Sequence, residues 1–124
     1  MAEKILVAED NPTNMKLITV ALKKQGYTLL QAADGEEALE AAVRNAPDLI
    51  IMDMQLPKTS GWEVTRKLRQ MPDFGNVPII AVTAYAMKGD KERAIEAGCN
   101  AYLPKPIDIN QLRSVVAEML LKQG

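Results

Sequence analysis

The chain has 124 residues, 48% of them hydrophobic, and its 15 lysines and arginines against 16 aspartates and glutamates leave a formal charge of −1. That is one ordinary domain's length with enough apolar material for a core. It lacks the basic excess that a nucleic-acid backbone attracts, and no apolar run approaches a membrane span.

With no histidine and a single cysteine, Cys99, Ser-His, Cys-His and His-metal chemistry and an internal disulfide are excluded. Cys99 reads as a small core or helix-end residue rather than a reactive thiol, since no basic cluster flanks it. The first residues do not begin a signal peptide, so a reducing, cytoplasmic setting is expected.

In chain order, KILVAE (Lys4–Glu9) is an apolar run without polar gaps, the pattern of a strand buried on both faces. Asn11 can cap a helix with Pro12 at its first position, and Gly26 can stop it. YTLLQAA (Tyr27–Ala33) is a weaker strand. Asp34 and Glu37 have capping-box spacing for a second helix, which stops at Asn45–Ala46–Pro47. DLIIMD (Asp48–Asp53) is a third strand, again fully apolar up to its last residue. Ser60 and Glu63 open a third helix that ends at Met71–Pro72, and VPIIAVT (Val77–Thr83) is the fourth strand.

The fourth helix stops at Gly98, but its start has two readings. Either Gly89 lies in its first turns and weakens it by about 1 kcal/mol relative to alanine, or Gly89 is loop and the helix begins at Asp90. Ala101–Leu103 is a short fifth strand. Asp108 and Gln111 cap a fifth helix, with Ile107 and Leu112 as a hydrophobic staple. Ile109, Leu112, Val115 or Val116, Met119 and Leu120 line one face of it. These are five βα units over residues 1–124, read as one α/β domain with a doubly wound parallel sheet. Right-handed crossovers leave few topologies.

Working groups in such sheets gather at the carboxyl ends of the strands. Glu9–Asp10 end the first strand, Asp53 the third and Thr83–Ala84 the fourth, while the fifth runs into Pro104–Lys105–Pro106. Three carboxylates, a hydroxyl and an ammonium thus meet at one edge. At about 6 Å and an effective dielectric near 20, each like-charge pair costs roughly 3 kcal/mol. One lysine does not offset three such pairs in a domain with about 5–15 kcal/mol of net stability. A hard divalent cation does: Mg²⁺, or Mn²⁺ in its place, takes a few carboxylates, waters and a phosphate oxygen. A carboxylate beside such a cation and a lysine can attack phosphorus and become an aspartyl phosphate, with the Thr83 hydroxyl donating to a phosphoryl oxygen. Pro104 and Pro106 fix φ on either side of Lys105, and a cis Lys105–Pro106 bond would aim the lysine over the strand ends.

The stretches ILVAEDN, PDLIIMDMQLPKTSG, IIAVTAYA and EAGCNAYLPKPI, at their spacing, make the chain resemble a response-regulator receiver domain of the CheY-like family over its whole length. The resemblance implies the flavodoxin-like (βα)5 fold with strand order 2-1-3-4-5 (CheY is a standard example of that order). It implies Asp53 as phosphoacceptor, Asp10 as a direct metal ligand, Glu9 acting mainly through bound water, and Gln55 giving its backbone carbonyl to the metal. Thr83 and Lys105 match the phosphoryl-binding hydroxyl and ammonium, Ala84 the small residue that leaves room for the phosphoryl group, and Tyr102 the switch aromatic. The side chains of Gln55 and Tyr85 match positions that tune phosphoryl lifetime. Leu56 stands where methionine is frequent and Ser60 where aspartate is frequent; Ser60 can still cap the third helix, so neither departure threatens the expected site.

The implied function is a phosphorelay receiver. A sensor histidine kinase or a His-phosphotransfer protein would supply the phosphoryl group, since this chain has no histidine to donate one. Phosphorylation adds about −1.5 to −2 charges. Thr83 would move toward them, Tyr102 would turn inward, and the surface of the fourth helix, fifth strand and fifth helix would change its affinity for a downstream protein. Such a chain catalyses only its own phosphorylation and dephosphorylation, as a monomer or a phosphorylation-dependent dimer, without direct contact to nucleic acid or membrane.

TAYAMKGDKERAIEAG resembles both hybrid-kinase receivers and DivK-type single-domain regulators. A stand-alone receiver is expected, with a receiver fragment of a hybrid kinase and a phosphorylation-independent docking module as alternatives. An aspartate-nucleophile phosphatase fits poorly, because Gln55 stands where its second aspartate belongs. A flavodoxin-like cofactor carrier fits poorly because EDNPTN opens with two carboxylates. Met15, Met71, Met87 and Met119 read as packing residues, and Trp62 and Phe74 as isolated aromatics rather than a stacking platform.

Overall fold

The computed structural model describes residues 2–84 and 89–123. Its elements alternate: β1 (Lys4–Ala8), α1 (Pro12–Lys23), β2 (Thr28–Ala32), α2 (Gly35–Asn45), β3 (Leu49–Asp53), α3 (Gly61–Arg69), β4 (Ile79–Thr83), α4 (Asp90–Ala97), β5 (Ala101–Pro104) and α5 (Ile109–Gln123), with one 3-10 turn at Pro72–Phe74. The strands are parallel in the order β2-β1-β3-β4-β5, the flavodoxin-like order that the receiver resemblance implies.

The expected caps form. Asn11 accepts from the Asn14 N–H at 3.0 Å, Asp34 from that of Glu37 at 2.8 Å and Ser60 from that of Glu63 at 3.3 Å. Asp108 Oδ1 accepts from Asn110 and Gln111 at 2.9 and 3.1 Å. Each satisfies backbone donors that a helix start leaves unpaired. Glu37 also reaches back to the Ala33 N–H at 3.1 Å, closing the α2 capping box one residue beyond the cap itself. Gly98 ends α4 in the left-handed region at φ 112°.

The start of α4 is decided against the reading that put Gly89 inside it. Gly89 is the residue before the helix, at φ 100°, and the helix begins at Asp90. That dihedral suits glycine and is not helical, so Gly89 precedes the helix rather than weakening a position within it. Tyr85 and Met87 lie outside the described residues. The first four strands are also shorter than their apolar runs, with Glu9, Tyr27, Ala33, Asp48, Val77 and Pro78 just outside them, while β5 runs one residue further than expected, to Pro104.

Alternation along the strands builds two cores. Leu6, Ala8, Ile50, Met52, Ile79 and Ala81 pack under α2, α3 and α4 with Ala38, Val64, Leu68 and Ala94. Ile5, Val7, Leu49, Ile51, Ile80, Val82 and Leu103 face α1 and α5 with Ile18, Leu22, Leu112 and Val116. Runs of apolar residues without polar gaps are what a sheet covered on both sides demands. The same two-residue period assigns the strand-end groups. Glu9 continues the Ile5–Val7 series, Asp53 the Leu49–Ile51 series and Lys105 the Ala101–Leu103 series, all on the α1/α5 side. Thr83 continues Ile79–Ala81 on the opposite side, where Tyr102 also packs.

Two packing details carry predictions. Gly61 opens α3 directly against the end of β3: a Cβ there would stand 2.3 Å from the Asp53 carbonyl oxygen and 2.8 Å from Met54 Cα. Both are backbone atoms and cannot swing away. Gly61→Ala is expected to lower stability by about 2–3 kcal/mol and to displace Asp53. Urea unfolding checks the first effect, and an unchanged midpoint would contradict the contact.

Cys99 is buried beside Thr65, and burial pushes its thiol up to about 11. The folded state therefore favours the neutral thiol. This contributes stability that is present below the ordinary thiol pKa and is lost as pH rises through about 11. Near pH 8 the folded chain should react with a disulfide reagent far more slowly than the urea-unfolded chain; equal rates would refute the burial.

Candidate active site at the strand ends

The sheet register brings the expected residues to one edge. Ala8 is level with Met52, and Asp53 with Val82. Glu9 therefore follows on beside Asp53, and Thr83 lies one step beyond it. Thr83 is level with Pro104, and its carbonyl accepts the Lys105 N–H at 2.8 Å. The Lys105–Pro106 peptide bond is cis.

Lys105 Nζ stands 2.8 Å from Asp53 Oδ2 and 2.9 Å from Glu9 Oε1. The first contact is an aligned hydrogen bond; the second is an ion pair without that alignment, so buried Glu9 Oε1 has no hydrogen bond of its own. Glu9 Oε2 accepts the Asn11 N–H at 3.1 Å, and Asp53 Oδ1 that of Gln55 at 2.9 Å. The main chain thus fixes both carboxylates from one side while lysine fixes them from the other. Asp10, exposed, completes a group in which one carboxylate oxygen of each of Glu9, Asp10 and Asp53 lies within 4.8 Å of the others.

Burial, with the Asp53 charge adding to it, lifts the Glu9 carboxyl above its usual range against the pull of Lys105 and the Asn11 N–H. Burial works to lower the Lys105 ammonium, but its hydrogen bond to Asp53 and its close charge contacts with Asp53 and Glu9 together outweigh it and hold the pKa above the ordinary lysine value. The lysine is fully charged at neutral pH and poised between two acids.

These acids fit a hard divalent cation. They offer converging oxygens, one of them buried without a hydrogen bond, and contain no soft ligand. Asp10 projects into solvent, where water can complete a coordination shell.

Thr83 is fully buried at the end of β4, and its hydroxyl donates to the side-chain Oε1 of Gln55 at 3.1 Å. Ala84, next along, is exposed. Tyr102 is half-buried and packs against the α2–α4 core. The Arg93 guanidinium of α4 lies 4.3 Å from the centre of the Trp62 ring, tying α4 to α3.

Three contacts were not read from the sequence. One is the Thr83–Gln55 bond. Another is the approach of Gly61 to Asp53, which a glycine in the first helical position could have signalled. The last is Arg69, which donates to the Gly98 and Phe74 carbonyls at 2.8 and 2.6 Å and to Asn100 Oδ1 at 2.7 Å, joining α3 to the ends of α4 and the 3-10 turn. A surface-helix arginine gives no sequence signal of such a role.

The profile of the response regulator receiver domain matches residues 5–117. The polar-differentiation response regulator DivK of Brucella anthropi is 42% identical over 120 residues, covering 97% of this chain and 98% of that one. The receiver domain of a Pseudomonas aeruginosa PAO1 sensor histidine kinase, solved with a magnesium ion in its active-site cleft, superposes with a TM-score of 0.89 at 38% identity, covering 97% of this chain and 98% of that one. A CheY-like receiver domain protein of Methanospirillum hungatei JF-1 reaches a TM-score of 0.92 at 26% identity over 99% and 97% of the two chains.

Proposed function

Because the chain belongs to the response regulator receiver domain family of two-component signalling, we propose that it accepts a phosphoryl group on Asp53 and uses it to switch a protein-binding surface. The observation that carries this is the Asp53 carboxylate, held by Lys105 at 2.8 Å and the Gln55 N–H at 2.9 Å inside a cluster with Glu9 and Asp10. A carboxylate so fixed is a nucleophile in one orientation.

In the transfer, an Asp53 oxygen forms a bond to phosphorus. The phosphorus–nitrogen bond of a phosphohistidine donor breaks, and its electron pair returns to the imidazole. Lys105 neutralises oxygens of the transferring group, as a pre-positioned cation does without reorganising. Mg²⁺ (or Mn²⁺), held by Asp10, Asp53 and the Gln55 carbonyl with Glu9 acting through water, would supply further positive charge to the same oxygens. Ala84 leaves room, and Thr83 turns its hydroxyl toward a phosphoryl oxygen. Thr83 and Tyr102 lie on the same side of neighbouring strands, so movement of one frees space beside the other. The α4–β5–α5 surface then changes for a downstream protein.

Residues 1–124 act here as one receiver domain that modifies only itself, in the cytoplasm. Among the described residues no helix is long and apolar enough to cross a membrane. The donor is a sensor histidine kinase or a His-phosphotransfer protein. A hybrid-kinase origin is supported alongside the stand-alone one by the likeness to the Pseudomonas receiver.

Intact mass after incubation with Mg²⁺ and acetyl phosphate tests the reading. One Mg²⁺-dependent phosphoryl adduct is expected. Absence of an adduct with both acetyl phosphate and a phosphohistidine donor would leave the docking-module alternative.

A further inference from the structure

Gln55 has a side chain whose position the chemistry above leaves unexplained. Its N–H is committed to Asp53 Oδ1 at 2.9 Å, which fixes the residue over the site. Its amide oxygen takes the Thr83 hydroxyl at 3.1 Å. Gln55 is otherwise exposed, while Thr83 is fully buried. A solvent-facing side chain has been folded back onto a buried hydroxyl on the opposite strand face from Asp53 and Lys105.

A threonine hydroxyl has one proton. It can be given to Gln55 or to a phosphoryl oxygen on Asp53, but not fully to both. We infer that the Gln55 side chain is a latch on the resting state: it holds the Thr83 hydroxyl until a phosphoryl group outcompetes it, and so sets how much of the chain is in the active arrangement before phosphorylation. Gln55 is in this sense a positioning residue acting through Thr83, separate from the metal-binding role of its carbonyl. The latch rests on the switch reading of Thr83 given above.

A neutral hydrogen bond of this kind is worth roughly a two- to tenfold change in an equilibrium. Apparent affinity for a ligand of the active arrangement scales with the population of that arrangement. Beryllofluoride with saturating Mg²⁺ occupies the phosphoryl position without a covalent step, and its binding can be followed by amide spectra.

In Gln55→Met, which keeps the length and removes the acceptor, beryllofluoride should bind roughly two to ten times more tightly than to wild type. Gln55→Glu, which restores an acceptor oxygen, should bring the affinity back toward wild type or below it. The sign is decisive. If the side chain served mainly to contact the phosphoryl group, its loss would weaken binding. Unchanged or weaker binding by Gln55→Met overturns the latch, as does equal tightening in both variants. Wild-type binding with the expected spectral change, combined with either of those results, leaves the receiver reading intact. A wild type that does not bind beryllofluoride removes both.

Discussion

Asp53→Asn is expected to take up no phosphoryl group from acetyl phosphate under conditions in which the wild type is labelled, and to remain folded. The amide has no anionic oxygen to attack phosphorus. It keeps an acceptor oxygen in the place where Asp53 Oδ1 takes the Gln55 N–H at 2.9 Å, and Lys105 keeps Glu9 at 2.9 Å as a charged partner. The amide nitrogen cannot replace Asp53 Oδ2 as acceptor for Lys105, so that 2.8 Å bond is lost, but the main-chain contact at the end of β3 survives the loss of charge. Intact mass measures the labelling, and the thermal unfolding curve measures the fold. A Mg²⁺-dependent adduct persisting in the variant would move the acceptor to another carboxylate, Glu9 or Asp10 being the nearest.

Lys105→Ala should show two effects that differ in kind. Labelling by acetyl phosphate should slow on the order of a hundredfold, the usual scale for deleting one pre-positioned donor to a developing charge. The phosphoryl group that does form should fail to change the α4–β5–α5 amide spectrum, since nothing then ties it to β5. Stability should fall as well. The side chains of Lys105, Glu9 and Asp53 are 17, 2 and 3% exposed, and removing one partner of a buried ion pair typically costs about 3–5 kcal/mol. Mg²⁺ should recover part of that loss, because it answers the same two carboxylates. Urea unfolding with and without Mg²⁺ checks this. A variant as stable as wild type in both conditions would mean that the ion pair is idle in solution.

Much of this site could be located before any coordinates. Glu9, Asp10, Asp53, Thr83 and Lys105 stand at the ends of apolar runs, and parallel βα topology sends strand ends of that kind to one edge. The caps at Asn11, Asp34, Ser60 and Asp108 were equally visible, since a cap depends on residues three apart in sequence. Gly89 was ambiguous for the opposite reason. A glycine before a helix and one in its first turn look alike until φ is known, and here it is 100°.

The sequence by itself determined the five βα units, the two-sided burial of the sheet and the set of charges that meet at its edge. These follow from short-range signals: runs of apolar residues, capping spacings and the alternation of side chains along a strand. Only the tertiary structure decided that Lys105 bridges Glu9 and Asp53 rather than pairing with Asp10. It also decided that Arg69 joins α3 to the far end of α4, that Gly61 meets the backbone of Asp53, and that Gln55 holds the Thr83 hydroxyl. Each of these is a contact between elements distant in sequence or across a turn. Its existence depends on how closely and at what angle the elements pack, and no periodicity in the chain encodes that.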